Sequence, residues 1–336
     1  MTIRLAAVDG IRGLACLLVV GTHALGMFMP ASSPYIVGIG KNGVWLFFVL
    51  SAFLLTAQFG RSGFAGRSLV VYAINRFLRI VPLFVIVVLM YWAWGTADIN
   101  TWRDVKRAVL MRQGYAHLWT IPIEFKFYAL LPFVAAGFIY TKQKYGVKTM
   151  VALSAAVIGL LQLVWPSWLT PYNSLSTTWY LPCFIWGCAA AVALDSVRPW
   201  VTPWRATLVG TGIILVMALV SPWPMHMLFD APYDTWLRRQ FVYLSLLWAI
   251  FILFLADEQG LWGRWLSSLP MQKLGQWSYS LYLIHWLVLA KLGAQHPNSW
   301  GWMLGATVLA VVAGAALHYV IEAPIEKMRH AFVKAH

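Results

Sequence analysis

The sequence predicts an all-α integral membrane protein with about ten transmembrane helices and both termini in the cytoplasm. Three observations predict it: composition, the spacing of the apolar stretches, and the asymmetry of the basic residues. Hydrophobic residues make up 61% of the 336 positions and charged residues only 11%, with a mean hydropathy of +0.70. A soluble domain cannot solvate such a surface. About ten stretches approach the ~20 apolar residues that cross a bilayer. They lie at 13–30, 43–60, 80–95, 123–140, 149–165, 179–194, 205–220, 240–256, 277–293 and 301–321. The connections are mostly short, and no composition shift, fixed-period repeat or low-complexity tract interrupts them, so 1–336 reads as a single transmembrane domain. With the N-terminus inside, about sixteen Lys and Arg face the cytoplasm, among them Arg4, Arg61, Arg67, Lys142 and Lys334, against about eight outside, such as Arg103, Lys106 and Arg107. The net charge of +14 is therefore largely a topology signal. Spread over many loops, it does not point to nucleic-acid binding.

The first stretch, DGIRGLACLLVVGTHALG, carries Arg12 and His23. Basic residues precede an apolar run, as in a secretory signal, but no small-x-small cleavage site follows, so the segment is expected to stay as a span. Eleven residues at about 100° each make three turns plus roughly 20°, so Arg12 and His23 share a helix face about 16 Å apart. One reading is a snorkelling arginine and a histidine bonded to a neighbouring helix; the other is a functional intramembrane group. In VYAINRFLRIVP, Arg76 and Arg79 share a face at the membrane surface, either as a positive-inside anchor or as an anion cradle. With Arg12 on the same side, three guanidinium groups can converge on one polyphosphate.

In HLWTIPIEFKFYALLPF, Glu124 follows Pro122 at a helix start. A carboxylate there suits the helix dipole, and entering from the outer side it can also meet a mid-membrane histidine and tune it for proton transfer. GQWSYSLYLIHWLVLA places Ser278, Ser280, Tyr282 and His285 at the start of the ninth stretch, where they read first as glue between helices. His318 and Glu322, one turn apart near the end of the last stretch, read as interfacial. Cys16, Cys183 and Cys188 all fall within apolar stretches without metal-ligand spacing, which suggests packing and no metal site.

These pieces, in this order, resemble the acyltransferase-3 family of bacterial membrane acyltransferases. VDGIRGLACLLVVGTH (8–23) matches the family's opening segment and keeps its arginine-to-histidine spacing. FFVLSAF (47–53) matches FFVLSGF, with Ala52 where glycine is usual. The R-x-x-R pair falls on Arg76 and Arg79, and WTIPIEFKFYALLP (119–132) keeps the family glutamate as Glu124 while Pro122, Phe125 and Lys126 depart from the common pattern. SYSLYLIHW (278–286) is kept whole. The resemblance implies a membrane-bound O-acetyltransferase of the bacterial inner membrane. It implies acetyl-CoA as donor co-substrate, a glycan or lipid-linked saccharide as acceptor, and His23 as the catalytic residue. Some relatives carry an SGNH hydrolase-like domain that completes the transfer; this chain is expected to be a stand-alone form without it, working alone or handing the acyl group to another protein. Arg12, Arg76 and Arg79 would hold the phosphates, with Glu124 acting on His23 or the acceptor. His23 would act as general base or carry the acyl group itself. The competing class is a multi-span exporter of a glycan or lipid-linked intermediate.

Overall fold

The computed structural model describes residues 6–335, with side chains to Arg329. Arg4 and the Lys334 side chain, both counted in the charge asymmetry, lie outside the described residues. Fourteen helices run in order: α1 Ala6–Phe28, α2 Ser33–Ile36, α3 Ile39–Ser62, α4 Gly66–Trp94, α5 Trp102–Val109, α6 Thr120–Val164, α7 Thr177–Val197, α8 Pro203–Leu219, α9 Pro222–Phe229, α10 Phe241–Leu255, α11 Gly260–Leu266, α12 Leu269–Gln295, α13 Trp300–Leu317 and α14 Ala323–Ala335. No strand occurs among the described residues.

Each of the ten apolar stretches falls largely within a helix. Six helices are long and apolar enough to cross a membrane, or up to eight if each of two bent pairs forms one span. Those pairs are α8 with α9, bent by 64°, and α10 with α11, bent by 87°. The count is below ten for physical reasons. At 17 and 15 residues, α8 and α10 fall short of the ~20 needed alone. The 45-residue α6 counts once, although Gly146 breaks it at φ 84° and ψ 167°, between the stretches 123–140 and 149–165, and α12, long enough at 27 residues, is too polar to be counted.

At the centre, α1 packs between α12 and α3, α3 against α7, and α12 against α13. Small residues set the closest contact. A Cβ on Gly275 of α12 would stand 1.8 Å from the Asp9 carbonyl oxygen of α1, so only glycine lets these backbones meet. That approach lays the polar stripe of α12 along the face of α1 that carries His23. The buried free cysteines sit in this packing, as expected from their apolar surroundings.

Candidate active site

His23 lies in the last third of α1, beside His285 of α12. The two rings are nearly parallel, at 4°, and His23 Nδ1 stands 2.9 Å from His285 Nε2. His285 Nδ1 faces the Tyr282 carbonyl at 2.7 Å, so that nitrogen carries the proton. His285 Nε2 is then a bare acceptor, and His23 donates to it from Nδ1. The proton-free nitrogen of His23 is Nε2. A carbonyl, His285 and His23 thus form a chain that fixes one tautomer, the arrangement a general base requires. The pair also joins α1 to α12, as the sequence reading of polar groups between helices expects.

Two cavities meet near this pair. The first, of about 80 Å³, is lined by Arg12, Arg76, Arg79, Ser51, Glu124, Tyr128 and Tyr282. It continues into a vestibule of about 510 Å³ around the same three arginines, Lys273 and Arg329. The second, of about 530 Å³, is lined by His23, His117, Lys41, Trp119, Tyr172, Asn173 and Trp286. Val44 and Tyr282 line both cavities, so they form the wall between them. Tyr282 is held there by bonds at both ends of its hydroxyl. It donates to the His117 carbonyl at 2.6 Å and accepts from Thr120 Oγ1 at 2.7 Å.

The three arginines do come together, as their spacing predicts, but in different states. Arg79 pairs with Glu322 and Glu326, so two carboxylates already neutralise it. Arg12 has Asp9 4.0 Å away. Arg76 lies over the Tyr128 ring at 5.8 Å, and its Nε is buried without a protein partner. Glu124 also departs from expectation. It accepts from Ser51 and Tyr128 inside the arginine cavity, because its helix packs on α3 and turns it there. It therefore faces the arginines and not His23.

Glu322 is engaged more closely than its place near the end of the last stretch suggests. It is only 3% exposed, accepts from Ser280 Oγ at 2.5 Å and lies 3.0 Å from His318 Nδ1. A π-helical turn at His318–Glu322 swings this carboxylate inward onto Arg79. His117, unremarked in sequence, sits 4.6 Å from the His285 ring and stacks on Trp286. The signal for Glu322 was its i,i+4 pairing with His318 on an apolar helix. No comparable pattern marked His117, which comes from the loop before α6.

The sequence pattern of the acyltransferase domain family matches residues 5–320. The chain belongs to this acyltransferase family. Membership places it among acyltransferases, and the three arginines, Glu124 and the paired histidines lie inside the matched residues. Among curated relatives, the peptidoglycan O-acetyltransferase OatA of Listeria monocytogenes is 25% identical over 364 residues, covering 96% of this chain and 56% of that protein. The O-acetyltransferase OatA of Staphylococcus aureus is 22% identical over 357 residues, covering 96% and 57%. The chain thus spans a little over half the length of these relatives. No solved structure matches it.

Proposed function

We propose that the chain is a membrane O-acyltransferase that moves an acetyl group from acetyl-CoA to a hydroxyl of an envelope glycan, free or lipid-linked. The same proposal places it in a bacterial inner membrane, with ten crossing segments and both termini cytoplasmic. One observation carries the reading: a histidine pair with a defined tautomer stands beside the thin wall between an arginine-lined cavity and an aromatic one. The name of the Listeria relative supports a cell-wall glycan as acceptor.

Arg76 and Arg12 hold the donor's phosphates, and the orphaned Arg76 Nε fits that role because a buried donor without a partner is satisfied by a ligand anion. Arg79 contributes from its carboxylate cluster. Glu124 with Ser51 and Tyr128 lines the passage from vestibule to wall and keeps it polar. His23 Nε2 takes the proton of the acceptor hydroxyl while that oxygen bonds to the thioester carbonyl carbon. The C–S bond breaks, and the proton returns from His23 to the departing thiolate, leaving the enzyme unchanged. His285 holds the His23 ring and shares its charge.

The test uses the purified full chain in lipid nanodiscs with radiolabelled acetyl-CoA and a saccharide acceptor. Wild type transfers label to the saccharide, and His23→Ala, well folded by size exclusion and thermal melt, does not. Saccharide binding without any consumption of acetyl-CoA would favour the exporter and overturn the proposal.

A further inference from the structure

The second cavity contains a polar group that the histidine relay does not use. His117 is 3% exposed, yet both its ring nitrogens are buried without a protein partner. Tyr282 donates to the His117 backbone carbonyl, and the His117 ring lies near the backbone carbonyls of Tyr282 and Leu283 without a well-formed hydrogen bond to either. A buried imidazole in either tautomer has one N–H and one lone pair to satisfy, and leaving both unmet is costly. Such a group persists where something else fills its valences.

The rest of the lining shows what that would be. Trp119, Tyr172 and Trp286 present ring surface to a cavity of about 530 Å³, within the ~300–1,000 Å³ of small-ligand pockets. At the mouth, Lys41 Nζ sits 4.9 Å from the Trp119 ring and 4.4 Å from the Tyr172 ring, and donates to Asn173 Oδ1 at 3.0 Å. The lining carries a cation and an amide but no carboxylate. Aromatic faces pack on the weakly positive C–H faces of a sugar ring, and amide, ammonium and imidazole groups bond its hydroxyls. An acyl chain would leave those polar groups bare, and a polyanion would find only Lys41 in the lining, with Arg238 5.5 Å from the Tyr172 ring, where the opposite vestibule offers several guanidinium groups.

We propose that this cavity is a saccharide subsite in which His117 hydrogen-bonds the sugar ring whose hydroxyl is presented to His23. The proposal rests on the transferase reading for its role in the reaction, but the binding it asserts stands separately. His117 lies between the aromatic mouth and the relay, with ring centroids 6.3 Å from His23. A sugar seated on Trp119 and Tyr172 would meet both imidazoles at its inner edge.

The probes are chitotriose, an N-acetylglucosamine trimer, and glycerol, a hydroxyl donor without a ring. In nanodiscs, Tyr172→Ala and His117→Ala raise the acceptor KM for chitotriose tenfold or more, while the KM for acetyl-CoA moves less than twofold. His117→Gln, which keeps a donor and an acceptor, recovers part of the loss. Glycerol, which cannot stack, shows no such dependence on Tyr172. Tyr172 is 67% exposed, so its variant folds even if a His117 variant does not. Unchanged chitotriose KM in both variants means that the ring nitrogens hold only water and Tyr172 is only an interfacial anchor, and the subsite is wrong. A parallel rise in the acetyl-CoA KM also overturns it. Calorimetry separates this from the reading of the enzyme. Chitotriose binding that weakens in Tyr172→Ala, with no transfer by wild type, keeps the subsite and sinks the transferase. No saturable binding by wild type sinks the subsite.

Discussion

His285 shows how much a single side chain gains from its neighbour. On its helix it is one more polar group beside Ser278 and Tyr282, and gluing helices is a sufficient account of it. Placed 2.9 Å from His23 and 2.7 Å from a carbonyl, it decides which nitrogen of His23 is basic. His285→Ala should therefore lower kcat by about 10²-fold, near the lower end of general-base contributions of ~10²–10⁴-fold, while the acetyl-CoA KM holds. His285→Gln should recover part of the rate, because its amide oxygen can accept from His23 Nδ1–H. Steady-state kinetics of both variants check this; a Gln variant no better than Ala would show that the effect is packing. His23, Arg12, Arg76, Arg79 and Glu124 could all be singled out in sequence, because charged or titratable groups stand out in apolar segments. His117 could not, because a histidine in a loop carries no such contrast.

Among the elements, the contact of α4 with the π-helical turn and α14 joins a cation to two carboxylates. Arg79, Glu322 and Glu326 come from helices far apart in the chain, and Glu322 is 3% exposed. Removing one partner of a buried pair leaves an uncompensated charge, typically costing ~3–5 kcal/mol. Arg79→Ala should lower the thermal midpoint by several degrees, and adding Glu322→Gln should restore most of it. Arg76→Ala should behave oppositely, with a small thermal shift and donor binding weaker by about ten- to a hundredfold, the equivalent of ~1.5–3 kcal/mol for a charged hydrogen bond. Melting curves and acetyl-CoA titrations of the variants test the contrast. An Arg79→Ala protein as stable as wild type would remove the structural role of the cluster. The pairing of Glu322 with Arg79 was not legible in the sequence because its helix is not straight. A π-helical turn changes which residues face inward, and periodicity counted at 3.6 residues per turn does not register it.

Across the whole molecule, the arginine vestibule and the saccharide cavity open at opposite ends of α1. Arg12 is near its start, and His23 near its end. The segment with α5 belongs to the second end, since it follows α4 and leads into His117. The proposed topology, from the basic-residue asymmetry, predicts that this end lies outside. A cysteine at Arg103, exposed on α5 and with a side chain that takes no part in the capping bonds between Thr101 and Asp104, should react with a membrane-impermeant maleimide added to intact cells. The buried native thiols at Cys16, Cys183 and Cys188 leave a low background. Labelling only after the membrane is opened would place donor and acceptor mouths the other way round.

Composition and spacing determined the class of molecule, because apolar segments near bilayer length have few other stable settings. They also determined that Arg12, Arg76 and Arg79 would gather at one end, since two of them share a helix turn and the third opens a neighbouring span. The family motifs, being contiguous, were legible for the same reason. What only the tertiary structure decided is which polar groups meet. Glu124 went to the arginines and His285 to His23, Arg79 was neutralised by distant carboxylates, and His117 was left buried with bare nitrogens. Each of these pairings depends on the register of one helix against another, set by the contact of Gly275 with the Asp9 backbone and others like it. A helix's own periodicity specifies its faces but not the height at which it meets its neighbour, and at about 1.5 Å of rise per residue a shift of one turn replaces every partner.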